Sequence, residues 1–200
     1  MKVAIIDSGG ANIASVRFAL ARLGVEGVLT RDPELIASAE RVILPGVGAA
    51  RDAMTRLHQA GLIGLIRALT QPLLGICLGM QLLFERSAEG DTPCLGLLAG
   101  EAVRFTADAR HPVPHMGWNE VRAHGDSRLL AGLGAAPYFY FVHSYALPLV
   151  ACTRGVTDYI GPFTAIAEQG NVFATQFHPE RSGRNGAQLL ENFLRLDPCA

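Results

Sequence analysis

The chain contains almost no lysine and carries almost no net charge. Sixteen of its seventeen basic residues are arginine, Lys2 being the exception, and eighteen acidic residues leave a net charge of −1. This balance provides no strongly basic surface of the kind that binds nucleic acid or anionic membranes. No apolar run reaches the roughly 18 residues that a membrane-spanning helix needs. The amino terminus runs straight into a short apolar segment ending at Asp7, which predicts a first strand and no signal peptide.

Cysteine is also sparse, and its positions form no recognisable pattern. The four cysteines are Cys77, Cys94, Cys152 and Cys199, and no two of them form a C-x-x-C pair. A disulfide scaffold usually has denser spacing, so we expect a reducing, cytoplasmic compartment. No pair of Cys or His residues has the spacing of a structural zinc site, and we expect neither a metal nor another cofactor.

Apolar side chains, by contrast, make up half of the 200 residues. A chain of this length buries about 70% of the surface that its unfolded form exposes, so its core needs no disulfide or metal. The sequence contains no Pro/Ser/Gly linker, no internal repeat and no low-complexity tract. We therefore predict one domain over residues 1–200.

The first half alternates short apolar runs with segments of helical periodicity. Strands are predicted at residues 2–6, 25–29, 41–44 and 73–76, and helices at 13–23, after Asp32-Pro33, at 49–60, at 62–69 and at 80–84. Asn12 is the predicted cap of the first helix. Later strand-like segments lie at 103–105, 119–122, 138–142 and 172–177, and residues 187–196 predict a closing helix. This order predicts an α/β fold with a mixed, mainly parallel sheet and helices on both faces.

The strongest local signal is the segment 75–81, GICLGMQ, where an apolar strand reaches Cys77 and a helix begins directly after it. This is the form of a nucleophile elbow with cysteine in place of serine. Glycines two residues before and two after Cys77 relieve crowding in such a turn. The start of the helix favours the reactive thiolate. The alternative is a buried structural cysteine, which is the commoner role of a lone cysteine.

A second signal, His178-Pro179-Glu180, supplies what a thiol nucleophile requires. The base must accept the thiol proton, and a third group must orient its ring. Pro179 disfavours helix at His178, and residues two apart in an extended segment point to the same side. Glu180 can therefore hold one ring nitrogen while the other faces Cys77. The alternative is a histidine at a strand end beside a solvated glutamate.

A third signal is the turn at residues 45–48, PGVG, which follows a predicted strand. Acyl transfer develops an oxyanion that backbone N–H groups stabilise. This loop and the N–H of Leu78 can supply them. The alternative is an ordinary turn. No GK[ST] follows, which excludes a P-loop, and the glycines after the first strand lack the spacing of a dinucleotide fingerprint.

Together these segments resemble the signature of class I (triad) glutamine amidotransferases, whose fold is flavodoxin-like. The resemblance implies a glutaminase that forms a glutamyl thioester and releases ammonia to a synthase. It implies that Cys77 is the nucleophile, His178 the acid and base, and Glu180 the orienting carboxylate. The implied oxyanion donors are the amides of Val47, Gly48 and Leu78, and the implied glutamine-binding groups are Gln81 and the backbone of Ser144 and Tyr145.

Further segments resemble one subfamily, the glutaminase subunits of imidazole glycerol phosphate synthases. These are residues 5–12 (IIDSGGAN), 114–119 (PHMGWN), 138–145 (YFYFVHSY) and 176–183 (QFHPERSG). The resemblance spans about residues 3–196. It implies a heterodimer with a cyclase subunit that receives ammonia and makes imidazole glycerol phosphate and aminoimidazole carboxamide ribotide in histidine biosynthesis. It further implies that the oxyanion loop forms only when the partner is loaded, and the glycines flanking Val47 make a peptide flip there easy.

The resemblance also implies a face that contacts the cyclase. The expected partner-contact residues are Asn12, Met116, Trp118, Asn119, Tyr140 and Arg181. Two positions depart from the commoner pattern of the subfamily. Ser8 stands where many members have Tyr, and Arg181 where many have Lys, and both are expected near this face. Because Arg and Lys present different hydrogen-bonding geometry, we expect a different partner contact at residue 181.

Two other functions remain as alternatives. The chain could be the glutaminase of another synthase, such as the anthranilate or pyridoxal phosphate systems, but residues 114–119 disfavour both. It could also be a catalytically silent regulatory module on the same fold. An intact Cys77, His178 and Glu180 disfavours that function.

Overall fold

A computed structural model of the chain describes residues 1–9 and 13–197. The expected cap and partner contact Asn12 and the fourth cysteine, Cys199, lie outside these residues. The elements of the first half are β1 (Val3–Ile6), α1 (Ile13–Arg22), β2 (Gly27–Thr30), α2 (Pro33–Ala37), β3 (Arg41–Gly46), α3 (Ala50–Gln59), α4 (Leu62–Ala68), β4 (Leu73–Cys77) and α5 (Leu78–Leu83). None of the helices in this described part of the chain is long and apolar enough to cross a membrane.

The second half is mostly strand. Its elements are β5 (Phe84–Ser87), β6 (Thr92–Pro93), β7 (Leu98–Arg104), β8 (His115–Glu120), β9 (Arg122–Ala123), β10 (Tyr138–His143), β11 (Tyr145–Ala146), β12 (Thr153–Asp158), β13 (Pro162–Gln169), β14 (Val172–Thr175) and α6 (Gly183–Leu194). A 3-10 turn over Pro179–Arg181 precedes α6.

The main sheet has eight strands in the order β2-β1-β3-β4-β14-β13-β12-β9. The strands from β2 to β14 run parallel, and β13, β12 and β9 continue the sheet antiparallel. This is the mixed, mainly parallel sheet that the sequence predicts. Smaller sheets, β10-β8 and β11-β7-β5-β6, lie outside it.

Helices cover both faces of the main sheet, as the alternation of β1 shows. Ala4 and Ile6 share a core cluster with buried residues of α2, α3 and α4. Val3 and Ile5 share the other cluster with buried residues of α1 and α6. Because successive side chains of a strand point to opposite faces, a strand with helices on both sides is apolar throughout. The strands β1, β3 and β4 are accordingly buried at every position.

Helix α2 starts where the sequence predicts, for the predicted reason. The Asp32 side chain accepts a 2.8 Å hydrogen bond from the Glu34 N–H, and Pro33 occupies the first helical position. Helix α5 differs, because it begins at Leu78 and ends at Leu83, and Phe84 already belongs to β5. Helix α6 starts at Gly183, four residues before its predicted start, and ends at Leu194, two residues before its predicted end.

The parallel register places the proposed chemistry at one sheet edge. Gly46 pairs with Cys77 at the ends of β3 and β4, and Thr175 pairs with Ile76 at the end of β14. The carboxyl ends of three adjacent parallel strands therefore lead into the PGVG loop, the cysteine and the segment that carries His178. Ligand sites of open α/β sheets form at this edge.

Candidate active site

Cys77 lies in a strained turn between β4 and α5. Its backbone has φ 56° and ψ −111°, and of the non-glycine residues described only Asp91 also has positive φ. Such a conformation costs on the order of 1–3 kcal/mol and is concentrated at functional sites. The side chain is nearly buried and lines a cavity. This is the geometry of the predicted nucleophile elbow.

The flanking glycines are needed because the chain packs against itself there. A Cβ on Gly79 would lie 1.8 Å from the Leu44 carbonyl oxygen. A Cβ on Gly75 would lie 2.5 Å from Cδ1 of Leu83 and 2.8 Å from the Gly79 carbonyl oxygen. Backbone cannot yield to contacts this short, so only glycine lets α5 fold back against β3 and β4.

His178 and Glu180 form a buried pair. The Nδ1–H of His178 donates to Oε1 of Glu180 over 2.8 Å. The backbone of His178 is extended and its N–H donates to the Tyr140 carbonyl oxygen. Glu180 approaches the ring by a different route from the predicted extended segment, because it lies in the 3-10 turn that Pro179 begins. Its burial rules out the alternative of a solvated glutamate.

Opposing effects set the protonation of His178. Burial by itself lowers the pKa of the imidazole, but the Cys77 side chain and the Glu180 carboxylate raise it, with a net result of about 10. The thiolate gives the larger of these two raising effects. The imidazolium is therefore the favoured form while the sulfur carries a negative charge. The Glu180 carboxylate therefore orients an imidazole whose charged form the site favours.

The cavity beside Cys77 has a volume of about 350 Å³. Its lining includes eight of the predicted site residues, namely Val47, Gly48, Cys77, Leu78, Gln81, Ser144, Tyr145 and His178. The sequence did not single out Glu89 or Val142, and gave no function to His143, which complete the wall. Glu89 lies beyond the end of α5 with no local motif around it, and its Oε2 accepts from the Ala50 N–H.

The expected oxyanion and glutamine-binding residues surround the sulfur. Gly48 has φ 92° with open space at its Cβ position, so backbone conformation, and not crowding, favours glycine there. Leu78 is the first residue of α5, where backbone N–H groups lack helical partners. Gln81 donates from Nε2 to the Tyr145 carbonyl oxygen over 2.9 Å. Within the described residues, no group of three or more His, Cys, Asp or Glu side chains could hold a metal ion.

Comparison with known proteins identifies the family. Residues 4–196 match the family model described as glutamine amidotransferase class-I. The chain belongs to the class-I glutamine amidotransferases. It is 54% identical over 194 residues to the imidazole glycerol phosphate synthase subunit HisH of Xanthomonas axonopodis pv. citri (strain 306), covering 97% of each chain. It is also 54% identical over 196 residues to the subunit of that name from Xylella fastidiosa (strain Temecula1 / ATCC 700964), covering 98% of each.

Solved structures support the same fold at lower identity. A crystal structure titled glutamine amidotransferase matches with a TM-score of 0.75 and 22% identity, covering 96% of each chain. The structure of PurLQS from Thermotoga maritima matches with a TM-score of 0.68 and 18% identity, covering 96% of this chain and 97% of that one. These similarities show the amidotransferase fold and nothing finer.

An exposed aromatic cluster of this amidotransferase lies on the β8-β10 sheet. Met116 is 68% exposed and Trp118 56% exposed, which excludes a core position for the tryptophan. Trp118 meets the Tyr140 ring edge-on with centroids 6.2 Å apart. The guanidinium of Arg181 lies over the Tyr140 ring, 4.8 Å from its centre. The structure thus brings together four of the six expected partner-contact residues.

Asn119 and Ser8 are held by hydrogen bonds within the chain. The amide of Asn119 donates to the Asp158 carbonyl oxygen and lies 3.4 Å from Nε2 of His115, and the residue is half-buried. Ser8, expected near the partner face, is buried, and its hydroxyl donates to the Pro45 carbonyl oxygen over 2.8 Å. The hydroxyl of Ser8 therefore holds the start of the PGVG loop.

Proposed function

We propose that this chain is the glutaminase subunit of an imidazole glycerol phosphate synthase. It hydrolyses L-glutamine to glutamate and ammonia and passes the ammonia to a cyclase subunit. One observation carries the proposal: Cys77, His178 and Gln81 line a single cavity in a chain that is 54% identical to HisH subunits over almost its whole length. We take residues 1–200 as one amidotransferase domain.

The proposed reaction proceeds through a thioester. The Cys77 sulfur attacks the side-chain carbonyl carbon of glutamine, and the imidazolium of His178 gives its proton to the departing nitrogen, which leaves as ammonia. Neutral His178 then takes a proton from water, whose oxygen attacks the thioester. Glutamate leaves as the C–S bond breaks, and the thiolate–imidazolium pair is restored. Glu180 keeps the ring in the tautomer and orientation that both steps require.

Two groups of residues hold the substrate in this scheme. The backbone N–H groups of Val47, Gly48 and Leu78 stabilise the oxyanion of each tetrahedral intermediate. Gln81, the Ser144-Tyr145 backbone and Glu89 surround the amino-acid end of glutamine. The Glu89 carboxylate complements the substrate's ammonium group, which an uncharged wall could not do.

The cyclase subunit docks on the face formed by Met116, Trp118, Tyr140 and Arg181. Aromatic and arginine side chains are the residues that most often dominate binding at protein interfaces. The cyclase would use the ammonia to form imidazole glycerol phosphate and aminoimidazole carboxamide ribotide. We place the complex in the cytoplasm, since Cys77 must remain a free thiol and Cys94 and Cys152 are also free.

The test reconstitutes the chain with a cyclase subunit and its nucleotide substrate. Cys77→Ala is expected to abolish glutamine-dependent formation of imidazole glycerol phosphate and to leave synthesis from added ammonia unchanged. Cys94→Ala is the matched control, because it removes a buried thiol outside the cavity and should retain both activities. The free wild-type subunit should release glutamate much more slowly than the loaded complex, as a loop that forms only in the complex requires. Turnover of glutamine by Cys77→Ala, or failure of wild type to release glutamate with the loaded cyclase, would falsify the proposal.

A further inference from the structure

A second glutamine, Gln176, lies buried beside the nucleophile, and the reaction described above does not use it. Its side chain is fully buried directly after β14, two residues before His178. Its Nε2 lies 3.8 Å from the Cys77 sulfur, within hydrogen-bonding distance for sulfur. Its Oε1 accepts a 3.0 Å hydrogen bond from Nε2 of Gln81. Gln176 therefore connects the substrate-binding glutamine with the sulfur.

The orientation of both amides follows from one carbonyl group. The Tyr145 carbonyl oxygen can only accept, so the amide nitrogen of Gln81 must face it. The same nitrogen then donates its other proton to Gln176, which must present its oxygen. The amide nitrogen of Gln176 is thereby directed at the Cys77 sulfur. Both N–H bonds of Gln81 are used, which leaves its oxygen as the atom of that amide able to bind a substrate ammonium.

The backbone at Gln176 is also fixed by hydrogen bonding to the neighbouring strands. Its N–H donates to the Ala165 carbonyl oxygen of β13 over 2.9 Å. The neighbouring Thr175 pairs in register with Ile76 of β4, next to Cys77. A donor fixed in this way loses little conformational entropy when it engages the sulfur.

We propose that Gln176 is a positioning residue for the glutaminase reaction, donating an N–H to the Cys77 thiolate and coupling it to the substrate through Gln81. A hydrogen bond to an ionised acceptor is stronger than one to the neutral thiol, so this donor favours the thiolate. An amide also has no proton to release, so it stabilises the sulfur without competing with His178. This inference rests on the proposed function for its substrate but not for its test.

The first experiment measures alkylation of Cys77 by iodoacetamide between pH 5 and 9 in the full chain, with the modified peptide quantified by mass spectrometry. Gln176→Met removes the donor at similar length and should slow alkylation at pH 7 by about tenfold and move the rate profile to higher pH. Gln176→Glu places a carboxylate beside the sulfur and should shift the profile further. Thr175→Val is the matched control, because its buried hydroxyl donates to the Phe177 carbonyl oxygen and not to the sulfur. Profiles of both Gln176 variants that superimpose on wild type would overturn the proposal.

A second measurement needs no substitution at Gln176. In the wild-type chain labelled with ¹⁵N, the side-chain amide resonances of Gln176 should move as the pH is varied over the range of the alkylation experiment. They should also move when Cys77 is alkylated. Resonances that stay in place under both changes would contradict the proposed hydrogen bond from Gln176 to the sulfur. This test does not depend on whether a Gln176 variant folds.

Kinetics in the reconstituted complex separate this inference from the proposed function. Gln176→Met should lower kcat for glutamine hydrolysis by about tenfold with a smaller change in KM, because the donor acts on the nucleophile. A wild-type complex that releases no glutamate refutes the proposed function, whereas the alkylation profile still decides the role of Gln176. Equal kcat values for Gln176→Met and wild type would count against the positioning role.

Discussion

The Nδ1 atom of His115 lies 3.1 Å from the Nε2 atom of His143, and both rings are buried. Nδ1 of His143 lies 2.8 Å from the Tyr145 carbonyl oxygen, which can only accept. His143 therefore donates there and accepts from His115, so both rings are neutral and their tautomers are fixed. Burial lowers the pKa of His115 to about 4, and burial together with the charge of His115 lowers that of His143 to about 3.

This pair predicts a specific loss of stability in acid. Each histidine binds a proton in the unfolded chain near pH 6.5 but resists it in the fold, so stability is complete above that pH and falls as pH drops toward 4 and 3. Each proton contributes a slope of about 1.4 kcal/mol per pH unit to the free energy of unfolding. His115→Phe should keep the stacking on Tyr159 and reduce this slope by about one proton.

Urea unfolding at a series of pH values between 7.5 and 4.5 checks this prediction. His58→Phe is the control, because it removes a histidine that is exposed on α3 and lies outside the buried pair. Parallel curves for His115→Phe and wild type would show that the buried pair is not the source of the acid sensitivity.

Local patterns were enough to predict the centre of the fold and the sharp turn at Cys77. Unbroken apolar runs predict β1, β3 and β4, and the glycines around Cys77 predict the turn that follows β4. The family signature covers the same turn. The pairing of His115 with His143 joins residues 28 apart, and that of Gln81 with Gln176 joins residues 95 apart. Contacts of this kind form only in the completed fold, so no local sequence pattern predicts them.

The strand β12 was missed for a related reason. The segment TRGVTD has few apolar residues, and β12 is held as a strand by its pairing with β13 and β9 on either side. The early start of α6 has a tertiary cause as well. A Cβ on Gly186 would lie 1.9 Å from the Pro179 carbonyl oxygen, so the first turn of the helix packs directly on the 3-10 turn. Sequence patterns marked only the apolar part of that helix.

Close packing at the turn after Cys77 makes Gly79 intolerant of substitution. Gly79→Ala would place a methyl group 1.8 Å from the Leu44 carbonyl oxygen, and backbone on both sides must move. We expect a loss of at least about 3 kcal/mol in the free energy of unfolding, at or beyond the upper end of overpacking costs. Gly64→Ala in α4 is the matched control, since its Cβ position is open and alanine should stabilise the helix by about 0.5–1 kcal/mol. Urea denaturation compares the two, and equal stabilities would contradict the packing argument.

Glu168 anchors the loop before β10 from the end of β13. Its buried carboxylate accepts from the Ser127 hydroxyl over 2.6 Å and from the N–H of Leu129 over 3.2 Å. Glu168→Leu would leave the buried N–H of Leu129 without an acceptor and remove the acceptor of the half-buried Ser127 hydroxyl, at a cost of about 1–3 kcal/mol. Glu191→Leu is the control, because Glu191 meets Arg195 on the surface of α6, where such pairs contribute little. Thermal denaturation should show a clear drop in Tm for the first variant, and an equal drop for both would refute the anchoring role.

The charge of Glu180 matters as much as its position. Glu180→Gln keeps an oxygen that can accept from Nδ1 of His178 but removes the negative charge, which is one of the causes that raise the pKa of His178. The imidazolium becomes less stable, so proton transfer to the departing ammonia loses its donor. We expect kcat for glutamine hydrolysis in the cyclase complex to fall by about 10²–10⁴. Glu89→Gln should instead raise KM, because it weakens binding of the substrate ammonium. Initial rates over a range of glutamine concentrations distinguish these effects, and a Glu180→Gln enzyme with kcat within threefold of wild type would show that orientation alone suffices.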